Sequence, residues 1–163
     1  MDLVVGVLSH TPLWAYTLFA LLILLGLQAR RPRTVTLRRL LVVPIVFIVW
    51  GLSSLVLGPA PTTILLLARA LAAAIAFAFG WFMPPMRRMT IDPASNLVHV
   101  PGSPIPLFRN VAIFLTKYVL IVAIVITEGD PTLRLADATI SGAISGYFLS
   151  SLIWVILKAR TAA

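Results

Sequence analysis

The chain contains no cysteine. That excludes a disulfide framework, a thiolate metal site and a thiol nucleophile. Acids are scarce as well: 5 Asp and Glu stand against 13 Lys and Arg in 163 residues. Charged residues make up 11% of the chain, whereas a soluble domain carries about a quarter. The polar coat of a water-soluble fold is therefore missing. Hydrocarbon fills the sequence instead, with 60% hydrophobic residues and a mean hydropathy of +1.04. Such a chain belongs in a bilayer, as a single polytopic domain over residues 1–163 with short loops. The opening MDLVVGVLSHTPLW lacks the basic stretch of a signal peptide, so the first span is expected to be retained.

A net charge of +8 and a pI near 11.4 raise the question of nucleic acid. The distribution argues against it, because the basic residues gather at the ends of apolar runs. There they meet anionic lipid headgroups and set orientation. The expected partners are therefore membrane lipids, and no nucleic acid.

Five apolar stretches are long enough for helices across a hydrocarbon core of roughly 30 Å. They run from about 12–28, 40–57, 62–83, 108–127 and 135–157. A β-barrel would show alternating polarity, and LFALLILLGL shows none. The fold class is thus all-α, with five transmembrane helices. Arg30, Arg31, Arg33, Arg38 and Arg39, then MRR after span three, Arg109, Lys158 and Arg160 all fall on one side of the membrane. The opposite loops read GPAPTT and TEGDPTLR. Basic loops stay cytoplasmic, which predicts N-out and C-in, a multi-pass protein of a bacterial inner membrane.

The cytoplasmic loop at 84–107 is the one long connection. Within it MTID and LVHV flank a turn at Asp92-Pro93 to Asn96, the pattern of a short β-hairpin. PGSPIP then predicts an extended segment leading to span four. Helix association in lipid depends on small residues. Span three offers Ala70, Ala74 and Ala78, with Ala72, Ala76 and Gly80 beside them, and span five offers Gly142 and Gly146 with Ser141 and Ser145. These two helices are expected to touch most closely, within one chain or across a homo-oligomer.

Three ionisable residues interrupt the apolar runs: Arg69 in span three, Lys117 in IFLTKYVLIV of span four, and Asp137 in span five. Each costs about 2.5–3.5 kcal/mol at mid-membrane, and less toward the ends. Two readings stand side by side. In the structural one, Arg69 pairs with Asp137 and Lys117 bonds to backbone carbonyls, Ser141, Ser145 or Tyr147. In the functional one, two cations face one carboxylate, and the surplus charge marks an anion or polar-ligand pocket built from Lys117, Arg69, Asp137, Ser141, Ser145 and Tyr147. A proton relay through Asp137 and Lys117 is a further use of the same groups.

Other constellations are weaker. Met83, Met86 and Met89 offer thioethers to Cu(I), but Pro84-Pro85 breaks their helix and Arg87-Arg88 repels a cation. His10 and His99 fall on opposite sides of the membrane in this topology, so no metal or cofactor is expected. A Ser–Lys dyad of Lys117 with Ser141 or Ser145 needs an oxyanion hole that nothing announces. No metalloprotease, esterase-elbow or P-loop pattern is present.

The run QARRPRTVTLRRLLVVP and the later VHVPGSPIPLFRNVAIFLTKYVL resemble a family of small bacterial inner-membrane proteins of unknown function. The specific part is PGS-x-x-PL-x-RN-x-x-IF-x-x-KY, from Pro101 to Tyr118, and the similarity covers most of the chain. The resemblance implies a five-helix membrane protein and places Arg109, Asn110, Lys117 and Tyr118 in one motif. The basic TLRRL at the start of span two is also similar to CcdC-type membrane proteins, a likeness that carries no residue roles across. The favoured function is a non-catalytic binding, scaffold or accessory protein. The alternative is a small oligomeric carrier or ion/proton-coupled transporter.

Overall fold

The computed structural model describes residues 13–56, 62–83, 89–92 and 97–162. His10, Met86, the hairpin turn at 93–96 and the loop at 57–61 lie outside the described residues. Among the described residues, five helices and three strands follow in the order α1 (Leu13–Gln28), β1 (Arg33–Thr36), α2 (Leu37–Val56), α3 (Thr63–Phe82), β2 (Thr90–Asp92), β3 (Leu97–Val100), α4 (Ile105–Ile126) and α5 (Pro131–Ala162). Three helical stretches among the described residues are long and apolar enough to cross a membrane: Thr63–Phe82, Ile105–Ile126 and Pro131–Thr161. The chain forms two compact units, Met1–Pro32 with Gly102–Gly129 and Arg33–Pro101 with Asp130–Ala163.

The first unit pairs α1 with α4. Phe19 stacks on Phe114 with ring centroids 4.9 Å apart, and Phe114 on Tyr118 at 6.2 Å. Gly26 sits against Leu107: a Cβ there would lie 2.8 Å from the Leu107 Cα. Residues 19 and 26 therefore meet 114 and 107, so the two helices run antiparallel. The extended segment predicted from PGSPIP ends earlier than expected, at Pro104. Helix α4 begins at Ile105, with Pro106 in the first turn, where a missing N–H breaks no helical bond. The Ser103 hydroxyl accepts a hydrogen bond from the Ile105 N–H at 3.3 Å.

The second unit is built around α5. Its 32 residues exceed the predicted span at both ends, and Asp130 caps its start. The Asp130 carboxylate accepts from the N–H groups of Thr132 and Leu133 at 2.8 and 3.1 Å, and Pro131 takes the position that tolerates it. One face of α5 meets α2. Phe148 stacks on Phe47 at 4.7 Å, and Gly51 lies against Ser145 and 3.3 Å from the Ser141 carbonyl oxygen, measured from a built Cβ. A second face meets α3, where Gly142 rests on the Arg69 backbone, Gly146 on that of Ala73, and Ser150 on Gly80. Numbering rises along both helices in the α3–α5 contacts and falls along one in the α2–α5 contacts. Hence α3 runs parallel to α5, and α2 antiparallel.

The expected close pair is therefore found within one chain, and the glycines of span five make it. On α3 the expectation is corrected in part. Ala70, Ala74 and Ala78 are exposed, while the stripe that meets α5 is Arg69, Ala73 and Gly80.

At one end of this unit lies a three-stranded antiparallel sheet in the order β1-β3-β2. The predicted hairpin strands are present, in the register Thr90↔His99, Ile91↔Val98 and Asp92↔Leu97. The third strand, RTVT, was not expected from the sequence. It pairs Thr34 with His99, Val35 with Val98 and Thr36 with Leu97. Alternation sends Val35, Val98 and Ile91 inward, into a cluster with Leu40, Met89 and Val155, against which Trp154 packs. The Lys158 ammonium donates to the Met89 carbonyl at 2.7 Å and sits 4.8 Å over the Trp154 ring. The start of α2 and the last turns of α5 thus share the sheet end.

Candidate functional site

Lys117 lies on α4 in the first unit. Asn110, Phe114 and Lys117 are spaced i, i+4 and i+7, the spacing of one helix face, and all three are buried. Lys117 is 3% exposed, and Asn110 2%. The Asn110 side-chain oxygen accepts from Arg109 Nε and Nη2 at 3.3 and 3.2 Å. The shared motif of Arg109, Asn110, Lys117 and Tyr118 therefore contains two of the buried polar side chains of this unit.

Arg69, Asp137, Ser141, Ser145 and Tyr147 lie in the second unit. Arg69 is 9% exposed, on α3. A Coulombic attraction links it to Asp137 on α5. The parallel packing explains how they come within electrostatic reach. Side chains lean toward a helix N-terminus. From its place opposite Gly142, Arg69 therefore leans toward the earlier turns of α5, where Asp137 stands five residues before that glycine.

Three serines of α5, Ser145, Ser150 and Ser151, are committed to their own helix. Ser145 donates to the Ser141 carbonyl at 2.8 Å, and Ser150 and Ser151 donate to the Tyr147 carbonyl at 2.8 and 3.0 Å. Such back-bonding satisfies a hydroxyl in an apolar setting. It also turns the Ser145 proton away from any incoming base. The Tyr147 ring meets Phe148 edge-on at 5.5 Å.

Between α2, α3 and α5 runs a groove of about 360 Å³. Its lining includes Ile48, Leu52, Ala73, Phe77 and Leu149, with Ser145 as the one polar side chain. Arg69, Asp137, Ser141 and Tyr147 do not line it. Its chemistry suits hydrocarbon, not an anion.

Among the described residues no three His, Asp or Glu side chains gather as a metal site. Met83 is 66% exposed and Met89 is 1% exposed in the sheet core, so these two thioethers occupy different environments. A group missed by the sequence reading sits at the β1–α2 junction. Burial pushes the Arg33 guanidinium below its ordinary pKa, and the charge of Arg39 pushes it the same way. The signal was present in RTVT, where Thr-Val-Thr is a strand pattern and Arg33 falls in phase with the inward Val35.

The geometry defines a helical protein with membrane-span-length apolar helices and buried cations. The chain belongs to the family of unknown function DUF6622, which it matches over residues 1–161. No curated protein and no solved structure matches it, so the likeness to CcdC-type proteins has no counterpart among the matches.

Proposed function

We propose that the protein is a five-span, N-out and C-in protein of a bacterial inner membrane. It acts as a non-catalytic binding or accessory protein whose buried Lys117 holds an anionic or polar ligand. The observation that carries this reading is Lys117, 3% exposed on an apolar helix of span length. Cations at such positions are rare, costly and tied to function more often than surface ones. Support for the topology comes from the second unit. Alternate crossings require span two antiparallel and span three parallel to span five, as found. Arg33, Arg38, Arg39, Lys158 and Arg160 of this unit sit on the elements that form its sheet end, and basic ends stay cytoplasmic.

Reporter fusions after Arg33, after Asn96 and at the C-terminus are expected to report cytoplasm, and fusions at Pro59 and Gly129 the outside. A periplasmic signal at Asn96 would invert the orientation. The ligand reading is tested by native mass spectrometry of gently purified protein. Lys117→Met keeps the stem and removes the charge. Loss of a co-purified anionic species is expected, with the fold intact or more stable because an ammonium no longer has to be desolvated. A variant that retains the same bound species refutes the reading, and one that unfolds assigns the lysine a structural role.

A further inference from the structure

Helix α2 carries one continuous exposed stripe. Arg38, Val42, Ile45, Val49 and Leu52 are spaced i, i+4, i+7, i+11 and i+14, the spacing of one helix face, and all are exposed. The opposite side, with Phe47 and Gly51, is taken by α5. The stripe opens on a cation and continues as hydrocarbon, and α2 contains no Asp or Glu. At its far end it runs into the groove between α2, α3 and α5, because Leu52 belongs to both.

Water does not suit that groove. The Ser145 hydroxyl donates to the Ser141 carbonyl at 2.8 Å, and among the described residues the rest of the lining is apolar. Apolar space of this kind stays dry and accepts hydrocarbon, and about 150 Å³ is enough for a benzene. A groove of about 360 Å³ therefore has room for on the order of twelve carbons. Small residues hollow it, since Ala73, Ala74 and Gly146 stand where larger side chains would fill it. Its depth fits a lipid tail. Ala73 and Ala74 lie in the middle turns of α3, and Gly146 in those of α5. On the α2 wall, Ile48 stands about 15 Å along the axis from Arg38. One leaflet of the hydrocarbon core is about 15 Å deep. A lipid whose negative headgroup meets Arg38 thus has its chain end at the groove.

We propose that this groove holds an acyl chain of an anionic lipid, with the headgroup at Arg38. The inference rests on the proposed membrane placement of α2, which the reporter fusions test by themselves. Lys117 belongs to the other compact unit, so either reading can fail alone. The test is a native mass spectrometry titration of the full chain in detergent with phosphatidylglycerol and phosphatidylcholine. Ala74→Phe fills the groove from an exposed position and should weaken both lipids about tenfold, the worth of two displaced methylenes. Ala78→Phe, exposed on the same helix but outside the lining, should change either by less than about twofold. Arg38→Gln should weaken phosphatidylglycerol about fivefold and leave phosphatidylcholine unchanged. Should Ala74→Phe not fold, the wild-type chain decides. Phosphatidylglycerol with a photoreactive group at its chain end should label Ile48 or Leu149 in preference to the exposed Leu67 and Leu71 of α3. Equal losses in the Ala74 and Ala78 variants, an unchanged lipid preference in Arg38→Gln, or labelling spread evenly along α3 overturn the proposal. So does a dimer that Ala74→Phe dissolves while lipid binding persists, which assigns the groove to a second copy.

Discussion

Gly146→Leu is expected to lower the unfolding free energy by about 3 kcal/mol, at the upper end of what an overpacked core costs. A Cβ on Gly146 meets the Ala73 carbonyl oxygen and lies 2.7 and 2.8 Å from the Ala73 carbonyl carbon and Cα. Gly142 stands in the same relation to Arg69, at 2.9 and 3.0 Å from its carbonyl carbon and Cα. These neighbours are backbone and cannot swing aside, so α3 and α5 must separate. In lipid no hydrophobic effect holds two helices together, and separation forfeits the dispersion contacts that do. Ala78→Leu is the control. Ala78 is on α3, the helix of Ala73, but exposed, and a larger side chain there should change stability by less than about 0.5 kcal/mol. Unfolding of the purified chain in detergent reads both. Equal costs at Ala78 and Gly146 would mean that the helices do not pack through the glycine stripe.

That contrast shows what the sequence made legible and what it did not. Gly142 and Gly146 stand out because they are the two glycines of α5 and lie four apart, so their role was readable. On α3 alanines occur all round the helix, so periodicity could not single out Ala73 over Ala74. The hairpin strands were readable because turn residues bracket them. RTVT was harder: it is four residues among five arginines, and its partner β3 lies more than sixty positions away. Non-local pairing leaves no mark in a local window. The longer α5 was readable in principle, since Asp130-Pro131 is a helix-start signal. Among the candidate site residues, the placement of Arg69 near Asp137 followed from depth alone. The division of Lys117 and the other five between two compact units had no sequence signature.

The link between Arg69 and Asp137 leads to the second large effect. Asp137→Ala leaves a guanidinium that is 9% exposed without the carboxylate that attracts it. Breaking one side of a buried pair costs about 3 kcal/mol or more, because the remaining charge stays desolvated. Arg69→Ala combined with Asp137→Ala removes both charges, so the double variant should be more stable than Asp137→Ala alone, with a coupling of about 1–2 kcal/mol. The cycle is clean for a structural reason. Gly142 packs on the Arg69 main chain, so truncating the arginine leaves the α3–α5 approach untouched. Stability is read by thermal unfolding of the four proteins in one detergent. Strictly additive losses would show that the two charges do not stabilise one another, and the arginine would then owe its place to some other partner.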